Sequence, residues 1–315
     1  RIEDPFGRTA TLTFNAAGQL ESITDVGGLR SFFAYGVADF IASMTTPYGT
    51  TTFTHEGADP VNHPYVQATD PLGGVRRVEY HFSTSAVPST VPVSEVPAGF
   101  TAWNRSLNYY VSLIWDSRGW AAGAGSPATA TAVRWFLNGW TGSFSKLVTT
   151  RVPQYIQRPA GARTWYAYPG QNRQQPQSMT GWSTTPSVTA RVLDDGTTQQ
   201  WSSTVNTQGA VTERIDSLGR RTNFDYAANG VDLLTVRQTT GAINDVVASY
   251  ANYTAGHQPQ SITDAAGQTT TLTYNTAGQV LTVRNPLSET TTYAYGADGQ
   301  LSSVTGPVSG ATTSY

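Results

Sequence analysis

The stretch DAAGQTTTLTYNTAGQVLTVR, residues 264–284, decides the fold, because it recurs twice elsewhere in the chain. NPLSETTTYAYGADGQLSSVT (285–305) follows it without a gap, and DPFGRTATLTFNAAGQLESIT (4–24) stands near the other end. All three stretches are 21 residues long. A fixed internal period is the sequence signature of a repeat architecture, in which one supersecondary unit is copied along the chain. The sequence therefore predicts a series of equal units at both ends.

The same residue types mark each unit at the same positions. An Asp or Asn opens it, a Gly usually follows three residues later, and an aromatic residue stands ten residues after the opening residue. Half-units recur as DPLGGVRRVEY (70–80) and DSLGRRTNFDY (216–226). The residues that define the repeat are Asp4, Gly7, Phe14, Asn15, Gly18, Asp25, Asp70, Gly73, Tyr80, Asp216, Gly219, Tyr226, Asp264, Gly267, Tyr274, Asn275, Gly278, Asn285, Tyr295 and Gly299.

These markers predict a β-hairpin in each unit. The leading Asp or Asn accepts a hydrogen bond from the backbone two residues on, and the Gly takes the positive φ that ends the turn. Over 9–14, threonines alternate with apolar residues, as in a half-buried strand. Leu20 and Ile23 in the return strand are three residues apart, which breaks the alternation and predicts a β-bulge or strong twist. We expect the repeat aromatics, such as Tyr274 and Tyr295, to occupy equivalent positions on one face.

Composition favours an all-β chain and excludes several kinds of site. The 315 residues include 30 Gly and 17 Pro, and only 13% are charged. Without cysteine there is no disulfide, thiolate metal site or cysteine nucleophile. The net charge of −2 gives no signal for nucleic acid, and no apolar run approaches the ~20 residues of a membrane helix. Since Arg1 enters directly into a repeat, we expect the chain to be a piece of a longer polypeptide.

The spacing in GRTATLTFNAAGQL and GQTTTLTYNTAGQV resembles the YD-repeat family, which includes Rhs proteins, the shell components of insecticidal toxin complexes and the teneurin shell. The resemblance covers 1–82 and 188–315. The Tyr-Asp pair of the family is replaced here by Phe14-Asn15, Tyr274-Asn275 and Tyr295-Gly296. The resemblance implies an all-β fold, a spiralling ribbon of β-hairpins of about 21 residues each that forms a hollow shell.

For function, the resemblance implies a structural segment of a larger bacterial protein that is secreted or lies on the cell surface. In relatives the shell encloses a toxin polypeptide. The expected partners are other segments of the same polypeptide, an enclosed toxin polypeptide or further copies in an assembly, with no cofactor, no nucleic acid and no membrane span.

The period disappears in the middle of the chain, so we expect three parts: repeats at 1–82, an irregular Trp-rich insertion packed on the ribbon at 83–187, and repeats at 188–315. Residues 83–183 hold eight basic and two acidic residues, a net charge of +6, whereas the remainder holds 11 and 19, a net charge of −8. Seven of the eight tryptophans lie in this stretch: Trp103, Trp115, Trp120, Trp135, Trp140, Trp165 and Trp182.

Two interpretations of the insertion remain open. Its tryptophans fill a small core where the ribbon widens, or they form a platform that binds a glycan or an acidic partner by stacking and cation–π contacts. The core is favoured, because large aromatics more often fill cores. The candidate glycan or partner contacts are Trp103, Trp115, Trp120, Trp135, Trp140 and Trp165. They give the alternative function, an adhesive or glycan-binding surface module.

A search for catalytic or metal-binding motifs identifies no such residue. The stretch HEGADPVNH (55–63) has the composition of a metal site, but Gly57 and Pro60 break the helix that an H-E-x-x-H site needs, so a loop is predicted. The carboxylates Asp194, Asp195 and Asp298 stand in turn-like sequences. We therefore predict that this segment is not an enzyme, and an enzyme on a β scaffold is the least favoured interpretation.

Overall fold

The computed structural model describes residues 1–4, 6–56, 64–85, 87–100, 109–138, 148–171, 183–308 and 310–315. These residues form 24 β-strands, one short α-helix and three 3₁₀ turns. The strands are β1 Ile2–Glu3, β2 Thr9–Phe14, β3 Leu20–Thr24, β4 Arg30–Tyr35, β5 Ile41–Thr46, β6 Gly49–Glu56, β7 Tyr65–Thr69, β8 Val75–Ser83, β9 Tyr109–Trp115, β10 Thr131–Asn138, β11 Val148–Gln157, β12 Arg163–Ala167, β13 Val188–Val192, β14 Thr198–Val205, β15 Val211–Ile215, β16 Arg221–Tyr226, β17 Leu233–Gln238, β18 Asp245–Tyr253, β19 Pro259–Asp264, β20 Thr269–Tyr274, β21 Val280–Arg284, β22 Thr290–Tyr295, β23 Leu301–Thr305 and β24 Thr312–Ser314. The helix, α1, is Ser117–Ala122, and the 3₁₀ turns are Val37–Asp39, Val93–Glu95 and Pro127–Thr129.

The chain divides into two compact units. The larger unit is Leu12–Trp201, and the smaller unit joins Arg1–Thr11 to Ser202–Tyr315. In the larger unit the strands from β3 to β13 pair antiparallel, each with the next along the chain. In the smaller unit the same order holds from β14 to β24, and β1 pairs with β2. The predicted all-β ribbon of hairpins is confirmed.

Four of the hairpins contain a bulge of the kind that the apolar spacing of the return strand predicts. Between β20 and β21, Thr273 pairs with Thr282 but Tyr274 pairs with Val280, so Leu281 is the extra residue. The same shift occurs at Tyr35, Tyr226 and Tyr295. A bulge increases the local twist and bends the strand that carries it. The three-residue spacing of apolar residues in the return strand therefore corresponds to a β-bulge that recurs along the ribbon.

The buried core lies in the larger unit and mostly in the Trp-rich segment. The largest fully buried side chains include Trp115, Trp165, Tyr155 and Phe136. By contrast, described strand residues of the smaller unit are half-buried or exposed, because a single layer of strands has no second layer to cover it. The Trp-rich segment is less irregular than its sequence suggests, since β9 to β12 lie within it and continue the antiparallel series.

No helix among the described residues is long and apolar enough to cross a membrane.

We expect Gly267→Ala to lower the free energy of unfolding by about 1 kcal/mol, because an alanine at φ +77° is strained although space is open around it. Gly306→Ala in the same unit is the control, since that residue has no positive φ and its Cβ would meet Ala311 at ordinary contact distances. Denaturant unfolding of both variants measures the difference. Equal stabilities would contradict the assigned turn geometry.

Candidate functional site

In a structural repeat, the functional residues are those whose contacts hold the units together. The hydrogen bonds within the turns are the first set of such contacts. In eight turns the Oδ1 atom of the leading residue accepts hydrogen bonds from the backbone N–H groups two and four residues on, at N–O distances of 2.8–3.0 Å. These residues are Asp4, Asn15, Asp25, Asp70, Asn206, Asp216, Asp264 and Asn275. The Gly three residues later donates its N–H to the carbonyl of the leading residue at 2.9–3.1 Å and has φ between +77° and +83°. The predicted turn is confirmed. The sequence did not predict the second hydrogen bond, which the backbone N–H four residues on donates to the same Oδ1 atom.

In four of these eight turns the side chain of the fifth residue bonds to that of the first. Asp216 accepts a bond of 2.6 Å from Nε of Arg220, and Asp4 accepts one from Arg8. In two of the three turns led by Asn the fifth residue is Gln: Nδ2 of Asn275 donates to Oε1 of Gln279 at 2.8 Å, and Asn15 donates to Gln19 in the same way. Burial alone would raise the pKa of the Asp216 carboxyl, but the hydrogen bonds from Arg220 and the turn amides, with the charge of Arg220, outweigh burial and lower that pKa.

Three tyrosine hydroxyls each tie their unit to the one before it. The Oη atoms of Tyr35, Tyr274 and Tyr295 donate to the carbonyls of Leu20, Pro259 and Val280, at 2.9, 2.8 and 2.9 Å. Each acceptor lies 15 residues earlier, at the first residue of the preceding return strand. These three tyrosines occupy equivalent positions, as predicted. Phe14 has no hydroxyl and its side chain is exposed, so it departs from the pattern.

Amide side chains link neighbouring turns along one edge of the ribbon in the smaller unit. Nε2 of Gln279 donates to the carbonyl of Gly299 at 2.8 Å, and Nε2 of Gln258 donates to that of Gly278 at 2.5 Å. Asn206 makes the corresponding bond to Gly230. The sequence pattern did not identify these residues as links, although the recurring Gly-Gln pair was a visible signal.

The structure places Trp115 and Trp165 in the core, each with 1% of its surface exposed. The indole N–H of Trp115 donates to the carbonyl of Ser126, and that of Trp165 to the carbonyl of Glu95. Burial leaves neither ring a face on which a sugar could stack. Both residues therefore act as packing and hydrogen-bonding anchors within the Trp-rich segment.

The other tryptophans divide between partly covered positions and positions outside the described residues. Trp120 and Trp135 are half-buried; Arg77 lies 5.5 Å from the ring centroid of Trp120, and the indole N–H of Trp135 donates to Ser112. Trp103, Trp140 and Trp182 lie outside the described residues. Of the six candidate contacts, the four that lie in the described residues are not brought together as one exposed platform.

Arg134 is a buried cation that the sequence analysis missed. Its side chain lies in β10 with 3% exposure, and one guanidinium nitrogen donates to the carbonyl of Trp135 at 2.9 Å. Burial lowers the pKa of Arg134 to about 10, against the opposing influence of Tyr155, Tyr80 and Tyr110. Its only sequence signal is a charged residue inside the apolar run VRWFL.

No group of three His, Cys, Asp or Glu residues in the described part of the chain could hold a metal ion. His55 packs its ring against Phe40 at 3.8 Å, and Glu56 ends β6. Asp59 and His63 lie outside the described residues. The carboxylates of Asp195 and Asp298 accept turn amides, as their sequences predict. What the described residues do form is a repeated set of hydrogen bonds that link hairpins to one another.

Comparison with known proteins identifies the repeat. The model of the RHS repeat matches residues 253–290 and 274–311. Residues 253–311 therefore contain RHS-type repeats, as the YD-type resemblance implies. No curated protein matches the chain.

Solved structures share the fold. The crystal structures of TcdB2-TccC3-Cdc42 and of TcdB2-TccC3 each match with a TM-score of 0.54 and 13% identity. That of TcdB2-TccC3 without its hypervariable C-terminal region matches with the same TM-score and 12% identity. Each match covers 94% of this chain but only 14% of the other, so the chain spans about one seventh of the length of these relatives.

We expect Tyr274→Phe to lower the free energy of unfolding by about 0.5–1.5 kcal/mol, because it removes the bond to Pro259 and leaves that carbonyl without the hydroxyl donor. Tyr315→Phe is the matched control in the same unit, since its side chain is largely exposed. Denaturant unfolding compares the two. An equal cost for both variants would show that the hydroxyl link contributes nothing.

We expect Asp216→Asn to reduce the loss of stability in acid. Because the folded pKa of Asp216 lies below its unfolded value, its contribution is present above about pH 4 and is lost as the pH falls through the lower folded pKa. Asn keeps the Oδ1 acceptor, as Asn275 shows, but does not titrate. Thermal unfolding between pH 7 and pH 2 measures this. Arg220→Gln should flatten the profile similarly, and an unchanged profile in both variants would refute the assignment.

Proposed function

We propose that this chain, which contains RHS-type repeats, is a structural segment of a larger secreted or cell-surface protein, and that it builds part of a β-shell around a toxin polypeptide. Its partners are then other segments of the same polypeptide and the enclosed polypeptide. Catalysis is no part of this role.

The observation that carries the proposal is the repetition of the links between hairpins. The turn bonds, the tyrosine bonds and the bulges recur at equivalent positions, so one hairpin can be added to the next without a separate core. Such a ribbon grows by adding hairpins rather than by packing layers, which is what the wall of the proposed shell requires. The fold shared with the TcdB2-TccC3 structures supports the same conclusion.

The burial of tryptophan supports a structural role over glycan binding. Trp115 and Trp165 are closed to solvent, and cores of aromatic residues contribute about 25 cal/mol per Å² removed from water. In the proposed shell the Trp-rich segment is the part of the wall that has a hydrophobic core, whereas the rest of the wall is a single layer of strands.

Cryo-electron microscopy of the full polypeptide that contains this chain tests the proposal. We expect residues 1–315 to form part of a closed wall, with density for another segment of polypeptide on its inner side. Limited proteolysis should leave that inner segment intact. In the triple variant Tyr35→Phe, Tyr274→Phe, Tyr295→Phe the inner segment should be cleaved faster, whereas Tyr48→Phe with Tyr315→Phe should match the wild type.

An open ribbon with solvent on both faces would overturn the proposal. So would binding to a glycan that is lost in Trp120→Ala and Trp135→Ala, because an adhesive surface module would then explain the Trp-rich segment better.

A further inference from the structure

Arg134 lies at the centre of a buried row of side chains on one face of the sheet in the larger unit. Directly paired residues of antiparallel strands share a face, and Arg134 is paired with Val111 on one side and with Tyr155 on the other. The same pairing extends the row across the strands from β8 to β13. Its members are His81, Val111, Arg134, Tyr155, Trp165 and Ala190, each with 0–4% of its surface exposed. A cation is therefore held in the interior, where a charge without a counter-charge is destabilising.

The guanidinium of Arg134 uses little of its capacity for hydrogen bonds. An arginine side chain carries five N–H donors. One nitrogen donates to the carbonyl of Trp135, at the bulge that follows Arg134 in β10. Nε is closed to solvent and has no hydrogen-bond partner among the described residues. A buried donor without a partner destabilises the fold, so Nε needs a further acceptor.

The Trp-rich segment supplies no carboxylate to this charge. Residues 83–183 contain two acidic residues, Glu95 and Asp116. Glu95 forms an ion pair with Arg163, and Asp116 accepts the backbone N–H of Gly119 as the N-terminal cap of α1. Both carboxylates are therefore already engaged elsewhere in the segment.

The carboxylate of Glu79 in β8 faces the same side of the sheet but is also engaged. Its strand lies two strands away from that of Arg134, which corresponds to about 10 Å. One of its oxygens binds Arg77 and the other binds His81. Glu79 therefore belongs to a separate ion-pair group.

Tyrosines surround the charge of Arg134 but do not neutralise it at pH 7. Burial raises the pKa of Tyr155 to about 12, against the opposing influence of Arg134, and burial also raises the pKa of Tyr110. Both side chains are therefore neutral phenols at pH 7. The pKa of Arg134, which burial lowers to about 10, still leaves the guanidinium charged. Because Tyr155 lies directly across from Arg134, its hydroxyl can donate to an anion bound at the guanidinium.

We propose that Arg134 binds a small monovalent anion, chloride, in the interior of the larger unit, and that the hydroxyl of Tyr155 is a second ligand of this ion. One negative charge balances the one guanidinium that has no carboxylate partner. Chloride accepts hydrogen bonds from N–H and O–H donors in any direction, and it is only slightly larger than the water molecules that occupy protein interiors. The proposal is independent of what the shell encloses.

Thermal unfolding of the 315-residue chain tests the proposal, with chloride replacing gluconate at constant ionic strength. The midpoint should rise by several degrees between about 1 and 300 mM chloride, because an ion that binds only the folded chain stabilises it. A crystal soaked in bromide should show an anomalous peak within hydrogen-bonding distance of the Arg134 guanidinium.

Two variants and a matched control locate the effect. Arg134→Gln should abolish the chloride-dependent rise, because it removes the charge that binds the ion. Tyr155→Phe keeps the packed ring and should weaken chloride binding about fivefold, the contribution of one hydrogen bond. Arg118→Gln removes an exposed cation of the same segment, so its rise should equal that of the wild type. Circular dichroism shows whether each variant is folded.

A wild-type midpoint that does not depend on chloride overturns the proposal, as does a bromide map without a peak beside Arg134, because water would then be the partner of Nε. A rise that persists in Arg134→Gln overturns it too, since the ion would then bind elsewhere. If Arg134→Gln does not fold, the bromide map of the wild type and the chloride dependence of Tyr155→Phe decide the question.

Discussion

In eight turns of the ribbon, two hydrogen bonds to one Oδ1 atom determine where the flanking strands begin and end. A strand shifted by one residue would turn its apolar side chains to the opposite face, and a single-layered ribbon has no second layer to correct that shift. In the turn led by Asp264, that oxygen and the positive φ of Gly267 fix the register. Tyr274 then stands at the end of its strand, where its hydroxyl reaches the carbonyl of Pro259. The link between units follows from the geometry of the turn.

The two parts of the protein use different sources of stability. The ribbon relies on many equal polar links, each worth about 1 kcal/mol, so the loss of one such as the Tyr295 hydroxyl bond has a local effect. The Trp-rich segment relies on a few large side chains such as Trp115, whose removal would cost about 3–5 kcal/mol. Packing in that core must also offset the free-energy cost of burying the charge of Arg134. This charge interacts with a backbone carbonyl and with neighbouring tyrosines.

The sequence predicted the structure best in the repeats, where each feature depends on residues close together in the chain. Asp, Asn, Gly and Tyr act within five to fifteen residues, so turns, bulges and equivalent tyrosines could all be derived from spacing. In the Trp-rich segment the deciding contacts are distant: Trp165 bonds to a residue 70 positions earlier. No periodic pattern indicates such a contact, and neither the strands β9 to β12 nor the burial of Arg134 could be derived. Phe14 stands at the position of the tyrosines in the repeat, but it is exposed and has no hydroxyl to donate, a difference that a pattern of aromatic rings does not record.

The first and fifth residues of a turn can form a charged pair or a neutral pair, and the two kinds of pair differ in what else they can bind. In the smaller unit Asp216 pairs with the cation Arg220, whereas Asn275 pairs with the neutral amide of Gln279. The Oε1 atom of Gln279 accepts from Asn275, so its Nε2 atom is still available and donates to the carbonyl of Gly299 in a later turn. One glutamine side chain therefore closes its own turn and also links that turn to another. The local turn and the link between units thus depend on the same residue, which couples the geometry of one hairpin to the position of another.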